Sequence, residues 1–148
     1  MALQVKNLQR KIKTNTPLLK RVGQRTLKGL GYEGADCSLL LVDDRRMTEF
    51  NARYRGRKRT TDVLAFPMGE GRGKGLHPQI LGDVVISVEA AARQAHVLGH
   101  SLEMELSTLL IHGILHLVGH HHHRAEERRR AMRLQEELLR RYFPTVRT

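Results

Sequence analysis

The chain has no tryptophan, only three phenylalanines and three tyrosines, and one cysteine among its 148 residues. With Cys37 alone there is no intrachain disulfide and no cysteine-based metal site, which suits a reducing compartment. Nowhere do eighteen apolar residues run together, and the opening MALQVKNLQRKIKTNTP lacks the apolar stretch of an export signal; the expectation is a cytoplasmic protein with no membrane segment. Acidic residues are also in short supply, with 15 Asp and Glu against 26 Lys and Arg for a net charge of +11 and a pI of about 10.7. A field of that sign favours a polyanionic partner. With so few aromatic platforms, nucleic acid would be held by charge more than by base stacking. There is no internal repeat, and the length fits a single domain over residues 1–148 with its own core.

What is present reads as strands and helices in alternation. Residues 3–7 alternate like a short strand, and from Pro17 to Leu30 apolar residues recur at helical spacing. The stretch 36-DCSLLLVDD-44 reads as a strand, and 44-DRRMTEFNARYRG-56 as a helix lying on the sheet, with Met47, Phe50 and Tyr54 on one side. Two more strands are predicted at 61-TDVLAFP-67 and 81-LGDVVIS-87. The glycine-rich 68-MGEGRGKGLHPQ-79 between them is a loop whose GKG lacks the spacing and the Ser or Thr of a phosphate-binding P-loop. Ser87 and Ser101 are placed to cap two helices, the first running to Leu98 before Gly99 and the second to Val118 before Gly119. A last helix, rich in Arg and Glu, is expected from about His123 to Tyr142, its charges forming ordinary intrahelical pairs. Together these predict an α+β fold, a small mixed four-stranded sheet packed with helices.

Most of the nine histidines crowd into 109-LLIHGILHLVGHHHHRAEE-127. On a helical wheel His112 and His116 share a polar stripe with Ser101, Glu105 and Thr108, while nearly every other residue from Leu102 to Val118 is apolar. The helix is therefore expected to be buried on most of its circumference. Imidazoles at i and i+4 lie one turn apart, within reach of a single metal ion. Gly119 stands where a left-handed residue could turn the chain back, and histidines follow at once. The spacing His112-x-x-x-His116-x-x-Gly119-x-x-His122 is the ligand arithmetic of a metzincin zinc site. His122 has the required spacing, with His121 and His123 as competitors within the run. A metzincin also carries Glu directly after its first histidine as general base, whereas this chain has Gly113. Glu105 lies two turns before His112, about 10.5 Å by helical rise, too far to replace that base, and is read as a surface group.

The stretch 112-HGILHLVGHHH-122 resembles the H-G-x-L-H-L-x-G-Y-D-H signature of the YbeY family, with His120 and His121 in place of the usual Tyr and Asp. The resemblance extends over most of the chain after Asp36. The stretch 51-NARYRGRKRTTDVLAFP-67 is similar to the family's N-x-x-Y-R-G-K-D-K-P-T-D-V-L-S-F-P, with Thr60 replacing Pro, and 81-LGDVVIS-87 and 105-ELSTLLIHG-113 also match. It implies a single-strand-specific endoribonuclease that matures the 3′ end of small-subunit rRNA in ribosome biogenesis. His112, His116 and His122 would then hold one zinc ion at the end of the buried central helix, and Arg55 would be the catalytic arginine. Its partners would be rRNA and the ribosomal small subunit or its assembly factors, not DNA. Arg suits that role because it is always charged and donates paired hydrogen bonds to phosphate oxygens. Independently of position, Arg53, Arg55, Arg57, Lys58 and Arg59 would attract RNA phosphates. Two other readings share the histidine spacing: a metallopeptidase, opposed by Gly113, and a noncatalytic assembly factor with structural zinc, which would need a fourth protein ligand.

Overall fold

The computed structural model describes residues 3–56, 61–68, 80–119 and 125–144, without the side chains of Arg55 and Glu127. The elements follow one another as β1 (Leu3–Asn7), α1 (Thr16–Gly29), β2 (Asp36–Val42), α2 (Asp44–Arg55), β3 (Val63–Pro67), β4 (Ile80–Ser87), α3 (Val88–Leu98), α4 (Leu102–Gly119) and α5 (Ala125–Tyr142). Helix starts are fixed by side chains that accept from open backbone N–H groups. Asn15 accepts from Leu18 at 3.1 Å, Asp43 from Arg46 at 2.9 Å, Ser87 from Ala90 at 3.2 Å and Ser101 from Met104 at 3.1 Å. Gly56 and Gly99 close α2 and α3 in the left-handed conformation. Gly119 departs from the expected turn: it is the last residue of α4 and has no positive φ.

The sheet order is β1-β2-β4-β3, with β1, β2 and β4 parallel and β3 antiparallel to β4. This is the expected mixed four-stranded α+β architecture. Alternation along the strands supplies two apolar faces. Leu3, Leu39, Leu41, Val84 and Ile86 join the core formed with α1 and α4, while Leu64 and Val85 pack with Met47 of α2. The two helices that matter most, α2 and α4, therefore lie on opposite faces of the sheet.

Helix α4 is the centre of the molecule, touching α1, α3, α5, β3 and β4. By length and composition it is apolar enough to cross a membrane, yet 56% of its apolar window is buried inside the protein, as befits a core helix. Its approach to the sheet depends on Gly113. A Cβ there would stand 2.6 Å from Cγ1 and 2.9 Å from Cγ2 of Val84, a β-branched, fully buried residue with little rotamer freedom.

A second set of contacts ties α2 to the start of α3. Ser87 donates to Asp44 at 2.7 Å, Arg93 donates to the other Asp44 oxygen at 2.7 Å, and Glu89 accepts from the Asp44 backbone N–H at 2.8 Å. The hydrogen bond to Asp44 raises the Arg93 pKa. Both helices are thereby referenced to the end of β4.

Gly113→Ala is expected to destabilise the protein by about 1–3 kcal/mol through overpacking, despite a gain of about 1 kcal/mol in helix propensity. Urea unfolding of the single and double variants checks this. Gly113→Ala combined with Val84→Ala should cost at least about 1 kcal/mol less than the sum of the two singles.

Candidate functional site

Along α4 the side chains from Glu105 to Val118 are mostly buried, and the exceptions define the site. His112 and His116 are exposed, one turn apart. They open into a cleft of about 990 Å³. Leu30, Gly31 and Tyr32, from the turn that follows α1, form one side of it, and residues of α5 form another; Leu115 and Val118 supply apolar floor beside the histidines. An apolar cleft with a few convergent polar groups is the usual form of a ligand site.

The polar stripe read from the wheel is split in two. Its N-terminal half is closed: Glu105 is only 2% exposed and is not the surface group expected from the sequence. One carboxylate oxygen meets Nε2 of His100 at 2.6 Å and the other accepts from Gln94 at 3.0 Å. The carboxylate thus clasps α3 and the α3–α4 turn onto α4, and the two partners satisfy a polar group that would be costly to bury alone. Thr108 is likewise occupied, donating to the Met104 carbonyl at 2.8 Å. The histidine half of the stripe opens into the cleft.

Gly113 takes on a different meaning from its place in the sequence. It turns toward β4, where Val84 leaves no room for a side chain, so helix–sheet packing accounts for the missing glutamate.

Two imidazole nitrogens on one exposed stripe suit zinc or another borderline metal, and the donor set fits one provided a third ligand completes it. Among the described residues no group of three His, Cys, Asp or Glu side chains is arranged around a metal position. His122 and its competitors His121 and His123 lie outside the described residues, as do Arg57, Lys58 and Arg59. Arg55 is the last residue of α2 and Arg53 is exposed on it. The C-terminal turn of α2 that carries both packs through Tyr54 on Phe66 of the edge strand β3. The Tyr54 ring packs on Phe50 and Phe66, with centroids 5.9 and 5.2 Å away, while 57% of the residue stays exposed.

Two features were not read from the sequence. Arg128 and Arg130 of α5 line the histidine cleft, although the helix as a whole looked like a solvated Arg/Glu surface. The spacing of Arg128, Met132 and Gln135, at four and seven residues, was the available signal. Ser38 on β2 also donates to Asp83 on β4 in a close hydrogen bond. Nearby Cys37 is buried, and burial first and the Asp83 charge second push its pKa up to about 12, so it is no nucleophile at neutral pH.

Fold and site define an α+β protein built around a core helix that presents an imidazole pair to an open cleft. A family model described as Endoribonuclease YbeY matches residues 4–143, and the chain belongs to the YbeY family. It is 47% identical over 147 residues to the Endoribonuclease YbeY of Pelotomaculum thermopropionicum, covering 95% of this chain and 97% of that protein. To the Endoribonuclease YbeY of Aquifex aeolicus it is 43% identical over 116 residues, 78% of this chain and 74% of the relative. The solution structure of the Thermotoga maritima protein TM1509 shares the fold, with a TM-score of 0.65 at 22% identity over 96% of this chain and 89% of that one.

Glu105→Ala should lower stability by about 2 kcal/mol or more, because it strands the polar hydrogens of His100 and Gln94. Activity per folded molecule should stay near wild type if Glu105 is structural, as measured by urea unfolding alongside an RNA cleavage assay. Cys37 should resist a thiol reagent in the native protein near neutral pH and react fully once the chain is unfolded, as a colorimetric thiol assay reads.

Proposed function

We propose that this protein is a zinc-dependent endoribonuclease that cuts single-stranded RNA and matures the 3′ end of small-subunit rRNA. Family membership and a relative 47% identical over 147 residues support an RNA-cleaving hydrolase of rRNA processing. Metal dependence is supported by the pair of exposed imidazoles, His112 and His116, on a helix otherwise committed to the core.

In this reading His112, His116 and one histidine of the 120–123 run, His122 by spacing, hold one zinc ion. Zinc bound there would supply Lewis-acid chemistry toward a phosphate oxygen or a water. The residues of this chain prepare the rest. Burial of α4 fixes the direction of His112 and His116 before substrate arrives, so orientation costs little at the moment of binding. Among the described residues no carboxylate lines the cleft beside His112, and the proton given up in the reaction would pass to solvent or to substrate groups, the RNA 2′-OH among them. Arg55 would donate to the phosphate and offset its growing charge, and Arg53, Arg57, Lys58 and Arg59 would hold the flanking backbone. Small-subunit rRNA precursors or their assembly factors as partners, and the cytoplasm as compartment, complete the proposal, with the free buried thiol of Cys37 in keeping with it. Among the described residues no position beside His112 holds a general base of the peptidase kind, and nothing favours that alternative.

His116→Ala should lose bound zinc, read by elemental analysis, together with cleavage of single-stranded RNA. Chelation should abolish cleavage by the wild-type protein and added zinc restore it. Wild-type rates in a zinc-free protein would contradict the proposal, and cleavage of casein but not RNA would transfer it to the peptidases.

A further inference from the structure

We infer that the groove between α1 and the end of α5 is a second RNA site, which holds the strand by its phosphates where it leaves the histidine cleft. Arg21, Arg25 and Lys28 are its phosphate-binding groups. This rests on the reading of the cleft as an RNA site and extends the path of the strand beyond it.

The groove follows from the spacing along α1. Arg21, Gln24, Arg25 and Lys28 recur at three- and four-residue intervals and share one face of the helix, while Leu19, Val22 and Leu27 on the other face enter the core. The polar face lines a groove of about 360 Å³, completed among the described residues by Glu33 and Tyr142. Tyr142 packs against the cluster of Val22, Ile111 and Leu138, which ties the end of α5 to α1 and gives the groove an aromatic wall.

The charge on this face is unlike that of the other charged helices. Helix α1 carries Lys20, Arg21, Arg25 and Lys28 and no acidic residue. Like charges four residues apart, such as Arg21 and Arg25, repel each other; only Lys28, in the last turn, is favoured by the helix dipole. On α2 and α5, by contrast, Arg45 meets Glu49 at 3.7 Å and Arg140 meets Glu136 at 3.8 Å. Arg21, Arg25 and Lys28 are exposed and make no ion pair, with Glu33 or with any other carboxylate. Their charges are open to a ligand, and three cations against the one carboxylate leave the lining net positive.

The place of the groove selects that ligand. Leu30, Gly31 and Tyr32 line the histidine cleft, and Lys28 and Glu33, at the two ends of the same turn, line the groove. A single strand leaving the cleft over this turn meets Lys28 first, then Arg25 and Arg21. The row is about 10.5 Å long by helical rise, which is about three nucleotides at a stacked rise of about 3.4 Å. Such a row fits regularly repeated negative charge and holds it without reading the bases. The three cations are positioning residues. Outside the histidine cleft, they hold the strand equally before and during reaction, so their loss raises KM and leaves kcat nearly intact.

The test compares R21Q/R25Q/K28Q with wild type and with K6Q/R45Q/R46Q, which removes the same charge from β1 and the start of α2. All three proteins are used at full length with added zinc. Kd, KM and kcat are read for the shortest single-stranded RNA that wild type cleaves. They are read again for that RNA extended at its 5′ or its 3′ end by about ten nucleotides, within the range of single-strand sites. Extension at one end should tighten wild-type binding about eightfold, roughly twofold for each of three exposed contacts. R21Q/R25Q/K28Q should lose that gain, match wild type on the short RNA and keep kcat within about threefold. On the extended RNA its slope of log affinity against log salt should flatten by about 2, at about 0.7 per phosphate contact, while the control stays near wild type. Glutamine is a good helix former, so the urea midpoint of the variant should match wild type. An unchanged slope in R21Q/R25Q/K28Q would overturn the inference and leave an acidic protein surface as the occupant of the groove. An equal change in the control, or an equal loss on short and extended RNA, would also overturn it, and in each case the RNA reading of the cleft would stand. A wild-type protein that binds no single-stranded RNA would overturn both.

Discussion

The contact on which the rest of the molecule depends is that of α4 with β4 at Gly113 and Val84. Because position 113 has no side chain, the helix settles onto the sheet closely enough for Leu106, Leu110, Ile114 and Leu117 to be fully buried. Each such burial is worth about 1.5–3 kcal/mol, and together they fix the helix in rotation as well as in place. Rotation is what the function requires. A helix that rolled by one residue would turn His112 and His116 away from the cleft and bring apolar residues to the surface. Core packing and site geometry are consequences of the same contact.

The remaining elements divide the work around that axis. The Glu105–His100–Gln94 clasp anchors the N-terminal half of α4 to α3, where no chemistry is needed. Asp44, Ser87, Glu89 and Arg93 lock the start of α2 to the end of β4 and the start of α3. The site is held from both of its sequence-distant halves by polar contacts made far from it. The Glu105 clasp is buried and feels salt less than the exposed Arg93–Asp44 pair does.

Much of this was legible in the chain itself. Apolar alternation and capping residues located the strands and the starts of α1 to α4 to within about two residues, because strand faces and helix N-caps are local requirements that leave local marks. The histidine pair was legible for the same reason, since one turn of helix fixes which residues share a face. Glu105 was misread because the wheel shows which residues share a stripe and not what covers it; its partners come from a neighbouring helix and a turn. The absent glutamate at position 113 was noticed, but its cause lies in Val84, a residue 29 positions earlier. Arg128 and Arg130 escaped for a related reason: a charged helix looks the same whether its arginines face solvent or a cleft, and only packing against Gly29 and Leu30 distinguishes them.

The order of elements along the chain also bears on how the protein is made. Helix α4 is apolar enough to resemble a membrane segment, and exposed in isolation it would be the stretch most prone to aggregate. It leaves the ribosome only after all four strands and α1, α2 and α3 have been synthesised. The surface that receives it can therefore be assembled before it appears, and the parallel pairings, which close slowly because they join distant segments, have a head start. α5 follows and covers the remaining side. The histidines thus emerge on a helix that already has somewhere to dock, and vectorial synthesis protects the segment that its composition makes most vulnerable.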